Sequence, residues 1–183
     1  MSTFRKHSYI TGITTICNAL NINPKMPANP SVRKSYELIH FILEDHIKDQ
    51  RAKNRGLPSF VLSSPPKAGR ATLLVYLLLH RLERRLPTAV QTCSGEYMIF
   101  DTHGGVNVVD DMDWDRLTDD CWALCDTNAN LFKPCAVLRG SVVVLVQFMS
   151  EGYGECVEQK NARHICMDMS QSLEIAMAEC GYC

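Results

Sequence analysis

Between Pro58 and Pro87 the chain passes from a short apolar stretch, Ser59-Phe60-Val61-Leu62-Ser63, through a proline- and glycine-rich loop into a run that is apolar on nearly every side, Leu73 to Leu79. The first stretch is too brief for a helix and is fenced by Pro58 and the Pro65-Pro66 pair, so it reads as a buried strand. The second reads as a helix over Thr72 to Leu86. Its first two turns should be buried, and its last turns carry Arg81, Arg84 and Arg85, cations that complement a C-terminal dipole.

The flanking segments extend this alternation. Asn21 to Pro30 holds three prolines and three asparagines and reads as a linker. Ser31 can cap a helix whose apolar residues Val32, Tyr36, Ile39, Ile42, Leu43 and Ile47 recur at spacings of three and four, ending by Gly56. Thr88 to Cys93 reads as a second strand, and Tyr97 to Asp101 and Val106 to Val109 as a hairpin turning at His103-Gly104-Gly105. Cys121 to Asp126 is an apolar run ending on an acid, and Ser141 to Phe148 holds the most continuous β-branched run, which predicts a central strand. Ile165, Met169, Leu173, Ala176, Met177 and Cys180 fall on one helical stripe ended by Gly181.

Strands separated by helical runs favour a mostly parallel sheet flanked by helices. The 183 residues, at roughly 150 per domain, amount to one domain with an extension. The expected organisation is a leader, linker and helix over 1–56, an α/β core over 57–150, and a helical tail over 151–183. In such sheets ligands bind at the carboxyl ends of the strands, which directs attention to the loop after the first strand.

That loop, Ser64-Pro65-Pro66-Lys67-Ala68-Gly69-Arg70-Ala71-Thr72, stands where G-x-x-x-x-G-K-[ST] stands in a phosphate-binding loop. Only Gly69 matches outright. Ser64, Arg70 and Ala71 replace the first glycine, the lysine and the metal-binding hydroxyl. Pro65 and Pro66 lack N–H donors, and Arg70 keeps the charge but as a planar fork. Thr72 could replace the missing hydroxyl if the helix starts a residue late. Lys67, Ala68, Gly69, Arg70 and the helix N-terminus remain as anion-binding features. Asp126 ends its strand as a Walker B acid does when it holds Mg²⁺ through water, but Thr127 and Asn128 add no second carboxylate to orient an attacking water. The competing explanation is a proline-stiffened turn, with Asp126 as a strand-end cap.

The order of strand, loop, helix TLLVYLLLHRLERRLPTAVQ, hairpin MIFDTHGGV and tryptophan strand CWALCDTNAN resembles the fungal P-loop NTPase-like proteins related to retrotransposon hot spot and Crinkler-type ATPase domains, over residues 57–150. The resemblance implies ATP with Mg²⁺ as ligand. It makes Gly69 the retained loop glycine, places Arg70 at the lysine position and Ala71 at the hydroxyl position, and makes Asp126 the Walker B-like acid. The departures at Ser64, Arg70 and Ala71 imply impaired hydrolysis. A non-catalytic module that docks a protein partner through the helix over 31–52 or the C-terminal helix is the alternative.

Composition narrows the remaining classes. Nineteen basic and twenty acidic residues give a net charge of −1, so no overall positive field exists to attract nucleic acid or an anionic membrane. No apolar run approaches the roughly 20 residues of a membrane span. Residues 1–36 are acid-free and loosely transit-like, though a polar leader before the first helix explains them better. Nine cysteines, several inside apolar stretches, fit free thiols in a reducing, intracellular compartment. Cys121, Cys125 and Cys135 with His103 or His164 lack the knuckle spacing of a zinc site. Asp111, Asp113 and Asp115 open like a calcium loop, but Arg116 stands where its glycine belongs and Trp122 where its glutamate belongs. Cys180 to Cys183 has redox spacing without a helix N-terminus to depress a thiol.

Overall fold

The computed structural model describes residues 18, 30–64, 69–109, 116–127, 133–140, 143–150 and 162–166. Its elements in chain order are α1 (Pro30–Ala52), β1 (Ser59–Ser64), α2 (Arg70–Glu83), β2 (Thr88–Cys93), β3 (Glu96–Asp101), β4 (Gly104–Val109), β5 (Trp122–Asp126), α3 (Ala136–Arg139), β6 (Val144–Ser150) and β7 (Ala162–Cys166). One seven-stranded sheet runs β4-β3-β2-β5-β6-β1-β7. The five strands from β2 to β7 are parallel, and β3 and β4 add an antiparallel hairpin at one edge. The chain therefore has an α/β fold with a mostly parallel mixed sheet.

Period-two alternation divides the sheet's side chains between two faces. Phe60, Leu62, Trp122, Leu124, Val144, Val146 and Phe148 point to one face, where Leu73, Leu74, Leu77 and Leu78 of α2 meet Tyr36, Ile39, Leu43 and Ile47 of α1. On the other face Ala123, Cys125 and Leu145 pack with Cys135 and Leu138 at and within α3. The all-round apolarity of α2 follows from this layering. The sheet takes one flank of the helix and α1 another, so Leu73, Leu74, Val75, Leu77 and Leu78 are all buried.

Two expectations change. The helix over 31–52 is not an extension, because its apolar stripe belongs to the same core as α2 and β1. Residues 162–166 are a strand, not the start of a helical tail: Leu62 of β1 pairs with Ile165, and the sheet extends beyond residue 150. Ile165 fits a helical stripe by spacing, but the hydrogen bonds offered by the open edge of β1 decide its state. The remainder of that stripe, residues 167–183, lies outside the described residues, as do the leader and most of the linker. Among the described residues no helix is long and apolar enough to cross a membrane.

Candidate phosphate site at the carboxyl ends of the strands

The strands β1, β6 and β5 finish side by side. Ser64 stands opposite Ser150, Leu62 opposite Phe148, and Phe148 in turn opposite Asp126. Asp126 is thus level with Leu62, two residues short of Ser64 and two strands across, or about 10 Å at the usual strand spacing. By alternation Ser64 and Asp126 lie on the face covered by the two long helices. β1 leads to β2 through α2 on that face, β5 leads to β6 through α3 on the other, and β6 is followed by β7 on the far side of β1. The chain therefore reverses direction between β1 and β6, the kind of switch point at which open α/β sheets form ligand crevices.

Gly69 starts α2. Its φ of 82° lies in the left-handed region, and a Cβ there would sit 2.5 Å from the Tyr36 hydroxyl oxygen, so both backbone and space require glycine. Its carbonyl accepts two hydrogen bonds, from the Leu73 N–H at 2.9 Å and from Tyr36 Oη at 3.2 Å. Lacking a side chain, Gly69 gives the helix N-terminus no side-chain cap. Arg70 is the first helical residue, half-buried like Ala71, so the helix begins two residues earlier than the sequence suggests. Thr72 is buried and its hydroxyl bonds Tyr36. Because the one Tyr36 proton goes to the Gly69 carbonyl, Thr72 is the donor in that pair. Burial pushes the Tyr36 phenol above its ordinary pKa, and the Thr72 bond offsets part of this.

Ser64 is fully buried, and its hydroxyl has no hydrogen-bond partner among the described residues. An unsatisfied buried hydroxyl costs about 1–3 kcal/mol, so this one, at the start of the loop, stands out among the described residues. Asp126 is half-buried. Beside it, Thr127 Oγ1 donates to the Phe148 carbonyl at 3.1 Å and accepts from Gln147 Nε2 at 3.3 Å, which fastens the end of β5 to β6.

The fold thus brings Ser64, Gly69, Arg70, Ala71, Thr72 and Asp126 to one end of the sheet. Lys67 and Ala68, with Pro65 and Pro66, lie outside the described residues, as do Asn128 and the acidic residues 110–115. Asp119 and Asp120 are exposed, and Asp120 pairs with Arg51 at 2.8 Å. Among the described residues no group of three or more His, Cys, Asp or Glu side chains converges to hold a metal. A single carboxylate such as Asp126 suits Mg²⁺ only when phosphate oxygens and water complete its octahedron. Tyr36 is the contributor that sequence reasoning missed, since no local spacing links it to Gly69. A groove of about 250 Å³ lined by Leu82, Arg85, Leu86, Asp101 and Thr102 lies at the opposite end of the sheet, beside the start of β2.

No family model matches this chain, and no curated protein or solved structure is significantly similar to it.

Proposed function

We propose that this chain is a degenerate P-loop NTPase-like protein. It holds the polyphosphate of a nucleoside triphosphate with Mg²⁺ between β1 and β6, with weak or absent hydrolysis. The observation that carries the reading is a buried helix, started by a left-handed glycine without a side-chain cap, that opens on the sheet's switch point beside the unpaired hydroxyl of Ser64. In this reading the first amides of α2 and the guanidinium of Arg70 hold phosphate oxygens, helped by the positive end of the helix dipole. Asp126 would hold Mg²⁺ through water, whereas Thr72, with the helix starting at Arg70 and its hydroxyl buried against Tyr36, does not take the place of the hydroxyl missing at Ala71. Bound Mg²⁺ would neutralise charge on the phosphates. With no second carboxylate beside Asp126 to orient water, binding outlasts chemistry.

The alternative, a non-catalytic interaction module docking a partner through α1, has less support. The apolar stripe of α1 is consumed by the core, and Phe41 is the large hydrophobic side chain left exposed among the described residues. One such residue is ordinary for a protein surface.

Melting the full chain with and without ATP and Mg²⁺ tests the proposal, because a ligand confined to the folded state stabilises it by about 2.7 kcal/mol at one hundred times its Kd. The expected result is a rise in melting temperature that Arg70→Ala removes. An unchanged melting temperature at saturating nucleotide favours the interaction module instead.

A further inference from the structure

The tyrosine that touches the start of α2 belongs to a helix 33 residues earlier in the chain, and its surroundings leave it little freedom. Tyr36 is 2% exposed, packs in the core shared by α1 and α2, and tilts against Tyr76 with ring centroids 5.8 Å apart. Its hydroxyl is the point where three constraints meet. It donates to the Gly69 carbonyl, accepts from Thr72, and occupies the space that a side chain at residue 69 would need.

We infer that Tyr36 is a positioning residue through which α1 holds Gly69 in its left-handed conformation and so sets the affinity of the α2 N-terminus for phosphate. This rests on the phosphate-binding reading above. The Gly69 peptide is anchored from both sides, by Leu73 along the helix and by Tyr36 across it, so its carbonyl has a filled acceptor shell and cannot rotate without breaking two bonds. The amide groups that follow then point at the switch point without reorganising when an anion arrives. Thr72 bonds the same hydroxyl, which gives α1 a second tie to the first turn of α2. Placing this control in α1 ties nucleotide affinity to the docking of that helix, a dependence that a P-loop and its own strand do not have by themselves.

The test uses the full chain and two variants of α1. Tyr36→Phe keeps the ring and removes the hydroxyl, whereas Ile47→Val trims the same helix at a core position eleven residues, or about 16 Å, further along it. Titration with labelled ATP and Mg²⁺ should show Tyr36→Phe weakened roughly five-fold, the size expected for one ordinary hydrogen bond, while Ile47→Val binds like the parent. Both variants lose a few degrees of melting temperature, so stability alone does not produce this split. If the parent titrates and Tyr36→Phe binds equally well, Tyr36 plays no positioning role, although the phosphate reading stands. If the parent itself does not bind, the reading and the inference fall together. A second measurement without nucleotide checks the contact: Gly69→Ala should lower the melting temperature less in the Tyr36→Phe background than in the parent, because only the parent has the hydroxyl in the way. Equal losses in the two backgrounds overturn the proposal.

Discussion

The imidazole rings of His40 on α1 and His80 on α2 meet with centroids 3.8 Å apart and their planes tilted by 52°, and His40 also lies 6.0 Å from the Trp122 ring. His40 Nε2 and His80 Nδ1 are buried without hydrogen-bond partners among the described residues, although Glu44 Oε1 approaches His40 at 3.4 Å. Burial, then the neighbouring His80, lowers the His40 pKa to about 4; Glu44 opposes this, and Arg84 and Arg81 reinforce it. His80 is lowered too, by burial and Arg84, against Glu44 and Glu83. The pair is therefore neutral at pH 7, and its ring contact joins the two helices that cover this face of the sheet.

A pH dependence follows with a definite sign. The unfolded chain takes up the His40 proton near 6.5 and the folded chain near 4, so between those values the unfolded state binds more protons. Stability contributed by the neutral ring is present above pH 6.5 and is lost as the pH falls towards 4, by roughly 2–3 kcal/mol. His40→Phe keeps an aromatic ring and removes the titration. Urea unfolding at pH 7 and pH 4 should show the variant gaining about that much relative to the parent at the acid end. A difference that stays constant with pH would exclude the mechanism.

Arg81, unlike the two histidines, is buried in this layer as a charged group. It is 4% exposed, donates from Nε to Thr88 Oγ1 at 3.0 Å and from Nη2 to the carbonyls of Pro87, at 2.9 Å, and Asp120, and its guanidinium lies 4.5 Å from the Trp122 ring centroid. Burial lowers its pKa to about 10, partly resisted by Cys121 and Asp120, so it remains charged at neutral pH. Arg81→Met should cost about 2–4 kcal/mol by chemical denaturation, since it removes three hydrogen bonds, one of them to the buried Thr88 hydroxyl, and the contact with Trp122. Arg81→Lys should recover less than half, because an ammonium cannot reproduce the fork. Full recovery by lysine would show that charge alone matters there.

Much of this layering is legible in the sequence because the strongest segments are short-range signals. The apolar run Phe60-Val61-Leu62 between prolines, the all-round apolar helix after Gly69 and the β-branched run before Phe148 declare their states locally. The carboxyl-end position of Ser64, Gly69 and Asp126 follows once those elements alternate. Other relationships are set by contacts between distant residues. Ala162 to Cys166 has one fully buried side chain, Ile165, and becomes a strand because β1 offers it an edge. Tyr36 looks like one more apolar position of an amphipathic helix until Gly69 is folded against it. The two histidines whose rings meet are forty residues apart, and nothing in either neighbourhood marks them as a pair.

The cysteines give a chemical readout of the same burial. Cys121, Cys125 and Cys135 are buried, whereas Cys93 at the end of β2 is exposed. Burial pushes Cys121 up to about 11 and Cys125 higher still, with Cys135 and Asp126 adding to the latter shift. With an aromatic disulfide at pH 8, Cys93 should react as an open thiol, and the three buried thiols at least ~1,000-fold more slowly, through unfolding. Peptide mapping after timed quenching separates them. Rapid modification of Cys125 in the native protein would mean that the face carrying α3 opens far more readily than its packing implies.

Gln91 links that face to β2. It is fully buried; Nε2 donates to the Cys93 carbonyl at 2.9 Å, and Oε1 accepts from the Cys135 N–H at 2.9 Å and faces Cys125 Sγ at 3.8 Å. Cys135 directly precedes α3, so the side chain fixes the start of that short helix to a central strand. Gln91→Leu fills similar space but leaves a buried N–H unpaired, for a loss of about 1–3 kcal/mol. Gln91→Glu retains the acceptor and loses the donor whenever it is ionised, so its penalty should shrink as acid restores the O–H. Denaturation of both variants at pH 8 and pH 5 distinguishes the two effects: leucine's deficit relative to the parent should hold steady, while glutamate's should narrow on acidification. A glutamate deficit that ignores pH would mean that the Cys93 bond contributes nothing and that water already serves that carbonyl.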